Sequence, residues 1–422
     1  MWKEFVLNQF LKKDDNLTFV EYTNHDIDYQ KINNLYIHIP FCRNICPYCP
    51  YYKEKYDISK AEKIGNSILK EIELHAENLK GKSIDSLYIG GGTPTLMNKT
   101  LIHAIDLLKS YCTIDKIAIE TNPEEINEKV LSELDQMGCN LISLGIQDFN
   151  QNYLNKIGRK YSIETALNAI ESVKKRNFET INIDLIFAFP DQSLQELDKS
   201  LEKAIDCHVD QITLYPLFTF PYSSIGQFNK LNKVILPNST QRKRFYYHIC
   251  EKLKDHGYQQ ISVWGFLKNG KTKYSSVTRD YYLGFGPSAA TFTGKQFLFN
   301  TFNLEHYQNQ IDLGKKPYSI ILNVSENLEK LFWLYWRFYE TVIPLKDYET
   351  KFRSDFKKNF RKMIIVLKAL GYIENVNGSI SLNRKGIHHI HLIQNHFALS
   401  YVNQIWSESH RTTKPNEINL NE

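Results

Sequence analysis

The sequence predicts an α/β fold: an open or complete β/α barrel, followed by a smaller helical domain. Three observations predict it. Strand-like and helix-like segments alternate about six times over roughly 190 residues, the pattern of a parallel sheet with right-handed crossovers. No Rossmann glycine fingerprint opens the first unit, which disfavours a doubly wound sheet. Beyond residue 310 the pattern changes to aromatic-rich helices and a hairpin.

The elements follow in order. "NNLYIHI" is a β-branched and aromatic run that ends at Pro40 and predicts a strand. "SKAEKIGNSILKEIELHAENL" has helical period, with Ile64, Ile68 and Ile72 four apart. "IDSLYIGGG" is a strand running into glycine, and "NKTLIHAIDLLKSY" is helical. "KIAIETNP" is a strand, and "EEINEKVLSELDQMGC" is a helix with a glycine stop. "NLISLGIQDF" is a strand, and "SIETALNAIESVKKRNF" a helix capped by Ser162. "TINIDLIFAFP", "SLQELDKSLEKAIDC" and "QITLYPL" complete the series as strand, helix and strand. In such barrels the chemistry sits at the C-terminal ends of the strands. The cysteine run after the first strand, Gly90–Gly92 after the second, Glu120, Gln147 and Asp184 are all expected on that one rim.

A chain of 422 residues is too long for one ordinary domain. The expected division is an N-terminal extension over 1–33, the barrel with its extension over 34–310, a C-terminal domain over 311–400 and a polar tail over 401–422. Within the C-terminal part, "MIIVLKALGYIENVNGSISLNRKG" reads as helix, glycine turn and β-hairpin. The aromatic run Phe332, Trp333, Tyr335, Trp336 and Phe338 is expected in a core. His388 and His391 are expected on one face of a helix, packed or solvated rather than ligating.

Composition excludes several classes. A net charge of +5 on 52 basic and 47 acidic residues does not point to nucleic acid. No run approaches the length of a membrane span, and the N-terminus has no signal-peptide pattern. Cys112, Cys139, Cys207 and Cys250 are isolated and read as buried small hydrophobes in a reducing, cytoplasmic compartment.

The remaining three cysteines stand together in "YIHIPFCRNICPYC", at Cys42, Cys46 and Cys49. Thiolates at this spacing bind a soft metal, zinc or an iron–sulfur cluster. Structural zinc sites take a second cysteine pair, which the chain lacks. Three thiolates on a four-iron cluster leave one iron without a protein ligand, the open position a catalytic metal needs.

"CRNICPYC" is similar to the CxxxCxxC motif of the radical S-adenosylmethionine (SAM) enzymes. With "YIHIPFC", "GGGTPT", "ETNPEE", "GIQDFN" and "IDLIFAFPDQS" the chain resembles the oxygen-independent coproporphyrinogen III oxidase (HemN)-like family. That family includes heme chaperones, heme-opening enzymes and one class of radical methyltransferases. The resemblance runs from about residue 34 to 300 and more weakly beyond. It implies a partial (β/α)6 barrel and a small winged-helix-like C-terminal domain. It also implies a [4Fe-4S] cluster on Cys42, Cys46 and Cys49, SAM on the open iron, and a low-potential electron donor such as flavodoxin or ferredoxin.

The resemblance implies the other site residues too. Tyr48 occupies the aromatic position beside the adenine, and Tyr36 precedes the cluster loop. Gly91, Gly92 and Thr93 match contacts to the methionine portion of SAM, and Glu120 the carboxylate that holds the first SAM. Gln147, Arg159 and Asp184 match contacts to a second SAM. Phe218 and Ala290 align with backbone contacts to the first.

The chain departs from its relatives in two places. Coproporphyrinogen oxidases carry a fourth cysteine where this chain has Tyr51, in "CPYYKE". Heme chaperones carry an HNxxYW run, and the corresponding "KYSSVTRDYYLGFGPSAAT" lacks its histidine and tryptophan. The expected function is a radical SAM enzyme modifying a hydrophobic or aromatic small molecule, by methyl or methylene transfer from a second SAM. The alternatives are a heme-binding trafficking protein and a coproporphyrinogen-type decarboxylase.

Overall fold

The computed structural model describes residues 16–220, 223, 224, 226, 235–275, 280–397, 401–413 and 415–420. The strands before residue 220 are β1 (Thr18–Glu21), β2 (Asn34–Ile39), β3 (Phe41–Cys42), β4 (Glu54–Lys55), β5 (Ser83–Gly91), β6 (Thr113–Thr121), β7 (Leu141–Gln147), β8 (Thr180–Phe187) and β9 (Gln211–Pro216). Then come β10 (Tyr258–Gln260), β11 (Gly265–Lys268), β12 (Tyr282–Phe285), β13 (Ala290–Phe292), β14 (Gln296–Asn300) and β15 (Tyr318–Asn323). The last are β16 (Val342–Pro344), β17 (Ile373–Val376), β18 (Ser379–Leu382) and β19 (Glu417–Asn419).

Strands β2, β5, β6, β7, β8 and β9 pair in parallel, in that order, and form the (β/α)6 wall the alternation predicts. All of β7 is buried, and in β8 every residue but Asp184 is buried. Strands covered by crossover helices read this way. The helix Ile58–Leu79 turns Ile64, Ile68 and Ile72 inward as expected. Ser162 caps the helix Ile163–Lys174 by accepting from Thr165 N. An antiparallel run β12–β13–β14–β15–β1 widens the sheet beyond β2, and β11 and β10 extend it beyond β9.

Two sequence expectations change here. The tail over 401–422 is not a loose polar segment: it contains the helix Asn403–Arg411 and strand β19, which pairs antiparallel with β1. Ile405, Ile418 and Leu420 bury beside Phe19 and Phe299, so a few apolar side chains suffice to seat it. The N-terminal extension joins through β1, which lies between β15 and β19.

The C-terminal hairpin forms as β17 and β18, after the helix Arg361–Ala369 and Gly371 at φ 64°. In the helix Glu326–Tyr339, Trp333 and Phe338 are buried and Phe332 is half-buried. His388 and His391 are buried among rings: His391 meets Trp264 edge-on at 4.2 Å and His388 lies against Tyr246. Among the described residues no helix is long and apolar enough to cross a membrane.

One buried carboxylate ties the barrel to its extension. Glu71, on the helix Ile58–Leu79, accepts from Gly286 N at 2.7 Å, Asn300 Nδ2 at 2.7 Å and Tyr307 Oη at 2.5 Å. Burial pushes its carboxyl from 4.5 up to about 7, against the pull of those three donors. An acid whose folded-state pKa is raised contributes stability below its unfolded pKa that is lost as pH rises through the folded one. Glu71→Gln removes this titration. Urea unfolding between about pH 5 and 8 is therefore expected to lose roughly 2–3 kcal/mol more in the wild type than in the variant. Equal slopes would show that Glu71 titrates normally.

Candidate active site

The rim is built from backbone devices first. The glycine run closes onto the cysteine loop: Gly92 N donates to Ile39 O and Thr93 N to Phe41 O, each at 2.7 Å. A Cβ on Gly92 would stand 2.5 Å from Phe41 O, and one on Gly91, at φ 113°, 2.7 Å from the His38 ring. Glycine is needed here for approach to the chain's own backbone as well as to any ligand. Cys42 ends the short strand β3, which pairs with β4, and Arg43 grips Glu125 through two bonds of 2.7 and 3.4 Å. These contacts seat both ends of the loop.

A hydrogen-bonded chain runs from Cys42 to Tyr48. Thr93 Oγ1 donates to Cys42 Sγ at 3.6 Å and accepts from Asn122 Nδ2 at 2.9 Å. Asn122 Oδ1 accepts from one arm of Arg159 at 2.7 Å, and the other arm donates to Tyr48 Oη at 3.1 Å. Tyr48 shares an apolar cluster with Cys46. Burial pushes the Cys42 thiol up to about 11 and raises Cys46 as well, with Arg159 opposing the latter. Cationic metal reverses such shifts by deprotonating the thiols it coordinates.

The soft thiolates of Cys42, Cys46 and Cys49 suit zinc or an iron–sulfur cluster. Among the described residues no group of three His, Cys, Asp or Glu side chains is placed to hold a metal ion. A four-iron cluster gives each thiolate its own iron and accepts wider spacing. The three cysteines are unpaired thiols in one loop, with Cys46 and Cys49 beside an apolar cluster of Tyr48, Tyr153, Ile157, Ile186, Phe189 and Leu217. Low solvent exposure and hydrogen bonds to sulfur are two of the levers that set a cluster's potential.

Above the loop the polar residues converge. Glu120 accepts at Oε1 from Tyr88 Oη, while its Oε2 lies 3.4 Å from Gly91 N. A register shift in β7 between Leu144 and Gln147 puts Gln147 at φ 66°. Tyr161 Oη sits 2.9 and 2.8 Å from the carbonyls of Gly145 and Ile146 and holds this bulge. Bulges of this kind re-aim a side chain, and here Gln147 Oε1 accepts from Tyr215 Oη at 3.1 Å. A Cβ on Gly145 would meet Gln147 Nε2 at 2.8 Å, Asn122 Oδ1 at 3.3 Å and Arg159 at 3.5 Å. Asp184 accepts from Ser143 Oγ at 3.0 Å and Asn182 Nδ2 at 2.9 Å, and burial raises its carboxyl to about 6.

Tyr36 and His38 form a pair beneath the glycine run. His38 Nε2 lies 3.0 Å from the Tyr52 carbonyl, which can only accept, so that nitrogen carries the proton. Burial lowers the ring's pKa to about 4. Neutral Nδ1 therefore accepts from Tyr36 Oη at 2.6 Å.

The structure thus brings Cys42, Thr93, Arg159 and Tyr48 into one hydrogen-bonded chain through Asn122, with Cys46 in the same apolar cluster as Tyr48 and with Glu120, Gln147 and Asp184 around it. Phe218 and Ala290 stand outside that chain. Phe218 stacks on Tyr215 at 6.2 Å, and Ala290 packs beside Tyr52 and Phe299. Both arms of Arg159 are engaged by neighbouring side chains, whereas the sequence suggests an open fork; its Nε is buried without a partner. Sequence reasoning missed Tyr88, Asn122, Gly145 and Tyr215. Tyr88 had a signal, since it lies two residues before Gly90 and shares its face of the strand. Asn122 had one too, inside "ETNPEE" between Glu120 and Pro123.

Known proteins share this architecture. Residues 36–204 match the radical SAM superfamily model. Over 366 residues the chain is 27% identical to the heme chaperone HemW of Bacillus subtilis, covering 84% of this chain and 96% of that one. It is 27% identical over 302 residues to the anaerobilin synthase of Escherichia coli O157:H7, covering 69% and 68%. It is 24% identical over 378 residues to the oxygen-independent coproporphyrinogen III oxidase of Pseudomonas aeruginosa, covering 84% and 81%. The structure of coproporphyrinogen III oxidase (HemN) from Escherichia coli superposes with a TM-score of 0.76 over 92% of this chain and 97% of that one, at 22% identity, and shares the fold. Residues 36–204 thus match the radical SAM superfamily model, and along most of its length the chain is similar to proteins named heme chaperone HemW and oxygen-independent coproporphyrinogen III oxidase.

Proposed function

We propose that the chain is a HemN-like radical SAM enzyme that modifies a hydrophobic or aromatic small molecule in the cytoplasm. In this reading Cys42, Cys46 and Cys49 hold the [4Fe-4S] cluster. Held there, a reduced cluster would supply the one electron for reductive cleavage of SAM. What supports the reading is the convergence of Glu120, Gln147, Arg159 and Asp184 on the rim directly above the cysteine loop.

The residues divide the work. Glu120 Oε2, on the side of the glycine run, receives the ammonium of SAM. Gly91, Gly92 and Thr93 pass along its methionine portion, and Tyr48 stands beside the adenine. Phe218 and Ala290 contribute backbone contacts, and Tyr36 supports the floor through His38. Gln147, Asp184 and Arg159 receive a second SAM. For Arg159 this means exchanging Asn122 or Tyr48 for the incoming carboxylate, or using the partnerless Nε. A second SAM held there would supply a methyl or methylene group for an sp2 carbon of the substrate, with its sulfonium–carbon bond broken and S-adenosylhomocysteine released. A flavodoxin- or ferredoxin-like donor provides the electron.

A second reading is favoured by the relatives themselves. Heme chaperones HemW from Bacillus subtilis and Lactococcus lactis match at 27% and 28% identity over 96% and 95% of their lengths. A heme-trafficking protein that retains a SAM site would match in the same way. Titration with heme separates the two: a stoichiometric Soret shift without product formation selects trafficking.

The cysteine assignment predicts that replacing Cys42, Cys46 or Cys49 by Ala abolishes both the cluster absorbance and reductive cleavage of SAM. Cys250→Ala keeps both, because its cost is only packing. Cleavage retained in Cys46→Ala would reject the assignment.

The two-SAM reading predicts a label. With methyl-labelled SAM, turnover is expected to yield 5′-deoxyadenosine and S-adenosylhomocysteine together, and mass spectrometry should find the label in the substrate. Arg159→Lys keeps the charge but loses the planar fork. It is expected to suppress labelled product at least about tenfold, with the first SAM's cleavage less affected. Deoxyadenosine alone, with an unlabelled product, would eliminate methylation and leave oxidation or rearrangement.

A further inference from the structure

We infer that Tyr88 and Tyr274 are positioning residues that fix the carboxylate of Glu120, and that the segment ending at Tyr274 is built into the barrel for this purpose. The inference rests on the reading that Glu120 receives the ammonium of SAM.

The geometry is a directed chain of hydroxyls. Tyr274 Oη donates to Tyr88 Oη at 2.9 Å, and Tyr88 Oη donates to Glu120 Oε1. A phenol has one proton to give. Tyr88 therefore spends its proton on the carboxylate and accepts that of Tyr274. The direction leaves Oε2 on the glycine side, 3.0 Å from where a Cβ on Gly90 would stand. The same Cβ would stand 2.7 Å from the Tyr88 ring, so glycine at position 90 admits both partners.

The rings are held as firmly as the hydroxyls. Tyr88 and Tyr274 are buried, at 4% and 6% exposure. Tyr88 stacks on Tyr36 at 6.0 Å and meets Tyr274 at 5.9 Å. Packing alone would be served as well by phenylalanine. Two buried hydroxyls cost desolvation unless each is bonded, and here both serve one carboxylate.

The backbone of Tyr274 is over-determined. Gln211, on β9, accepts from Tyr274 N and donates to Tyr274 O, both at 3.0 Å. Thr180 Oγ1, at the start of β8, donates to Thr272 O at 2.5 Å, and Thr272 Oγ1 donates to Glu179 at 3.0 Å. Lys273, between them, pairs with Glu340, just beyond the helix Glu326–Tyr339. A segment from outside the six barrel units is thereby stitched to two strands, and the position of its phenol is passed to Glu120. Such support restricts a ligand's rotamer before the ligand arrives.

The test uses the full chain with its cluster reconstituted anaerobically, and reads SAM affinity by equilibrium binding. Tyr88→Phe is expected to raise the Kd for SAM about tenfold, the scale of one charge-assisted hydrogen bond. Tyr274→Phe, which acts one bond further away, should raise it about threefold. Cluster absorbance should stay at the wild-type value, and the melting temperature should fall only modestly, as the loss of one buried hydrogen bond implies. In reductive cleavage the loss should fall mainly on KM rather than kcat. The double variant should match Tyr88→Phe alone, because the hydroxyl of Tyr274 reaches Glu120 by way of that of Tyr88. In a Glu120→Gln background neither substitution should weaken binding further. If Glu120→Gln weakens SAM binding but Tyr88→Phe and Tyr274→Phe do not, the positioning role is overturned and the reading of Glu120 stands. If Glu120→Gln leaves binding unchanged, both are overturned. Additive losses in the double variant would also overturn the relay.

Discussion

The candidate site depends on one charge and what it is bonded to. Arg159 projects a guanidinium beside buried thiols, and its hydrogen-bond partners are neutral oxygens, an amide and a phenol. A fixed cation in that setting is stabilised by whatever negative charge develops nearby. Through Asn122 and Thr93 it is linked to Cys42, and it bonds Tyr48, which shares an apolar cluster with Cys46. Three thiolates around a cluster in the proposed function would put negative charge at both ends of this chain. Cluster charge and hydrogen bonds to sulfur set the reduction potential, so one arginine can serve the geometry of the loop and the energetics of electron transfer together.

Much of what surrounds that chain is arranged by backbone exceptions rather than by regular elements. Gly91 and Gly92 let the loop after β5 lie on the loop after β2, so that Thr93 reaches Cys42. The bulge in β7 turns Gln147 toward Tyr215, and the bare Cα of Gly145 leaves room for Asn122 and Arg159. Asp184 needs no such device, because strand alternation in β8 already points it inward among buried neighbours. The rim therefore mixes a regular lattice with two local departures from it, and the departures carry the polar groups closest to the cysteines.

This division explains what was legible in the sequence. The six units, the cap at Ser162 and the inward face of Ile64, Ile68 and Ile72 are periodic signals, and short-range physics suffices for them. The cysteine run and glycine run are legible because their spacing is chemical. Tyr274 was not legible: it touches Tyr88 across 186 residues of chain, and nothing local marks it. The tail was misread for a related reason. Its composition is polar, but Ile405, Ile418 and Leu420 meet Phe19 and Phe299 only after the sheet is complete. Arg159 was found but its engagement was not, since a hydrogen bond to Tyr48 spans 111 residues.

The same geometry bears on how the chain differs from its relatives. The polar chain around the cysteines is whole, so departures from the family pattern concern what lies opposite it. Tyr51 stands where coproporphyrinogen oxidases have a cysteine, and its ring is 49% exposed. Desolvation of its hydroxyl, then the charges of Glu120 and Cys49, push this phenol above its ordinary range, and Tyr339 and Asp184 add to the effect. Its neighbours thus include both carboxylates of the rim and a tyrosine from the C-terminal helix. Tyr339 is fixed there through its carbonyl, which accepts from Val263 N at 2.8 Å. Val263 adjoins Trp264, which packs against Phe187, Phe218, Tyr246 and His391. Tyr339, at the end of the helix Glu326–Tyr339, is thereby tied to the segment that carries Trp264. A thiol at position 51 offers a polarisable, ionisable group, whereas a phenol offers a flat ring and a weakly acidic donor.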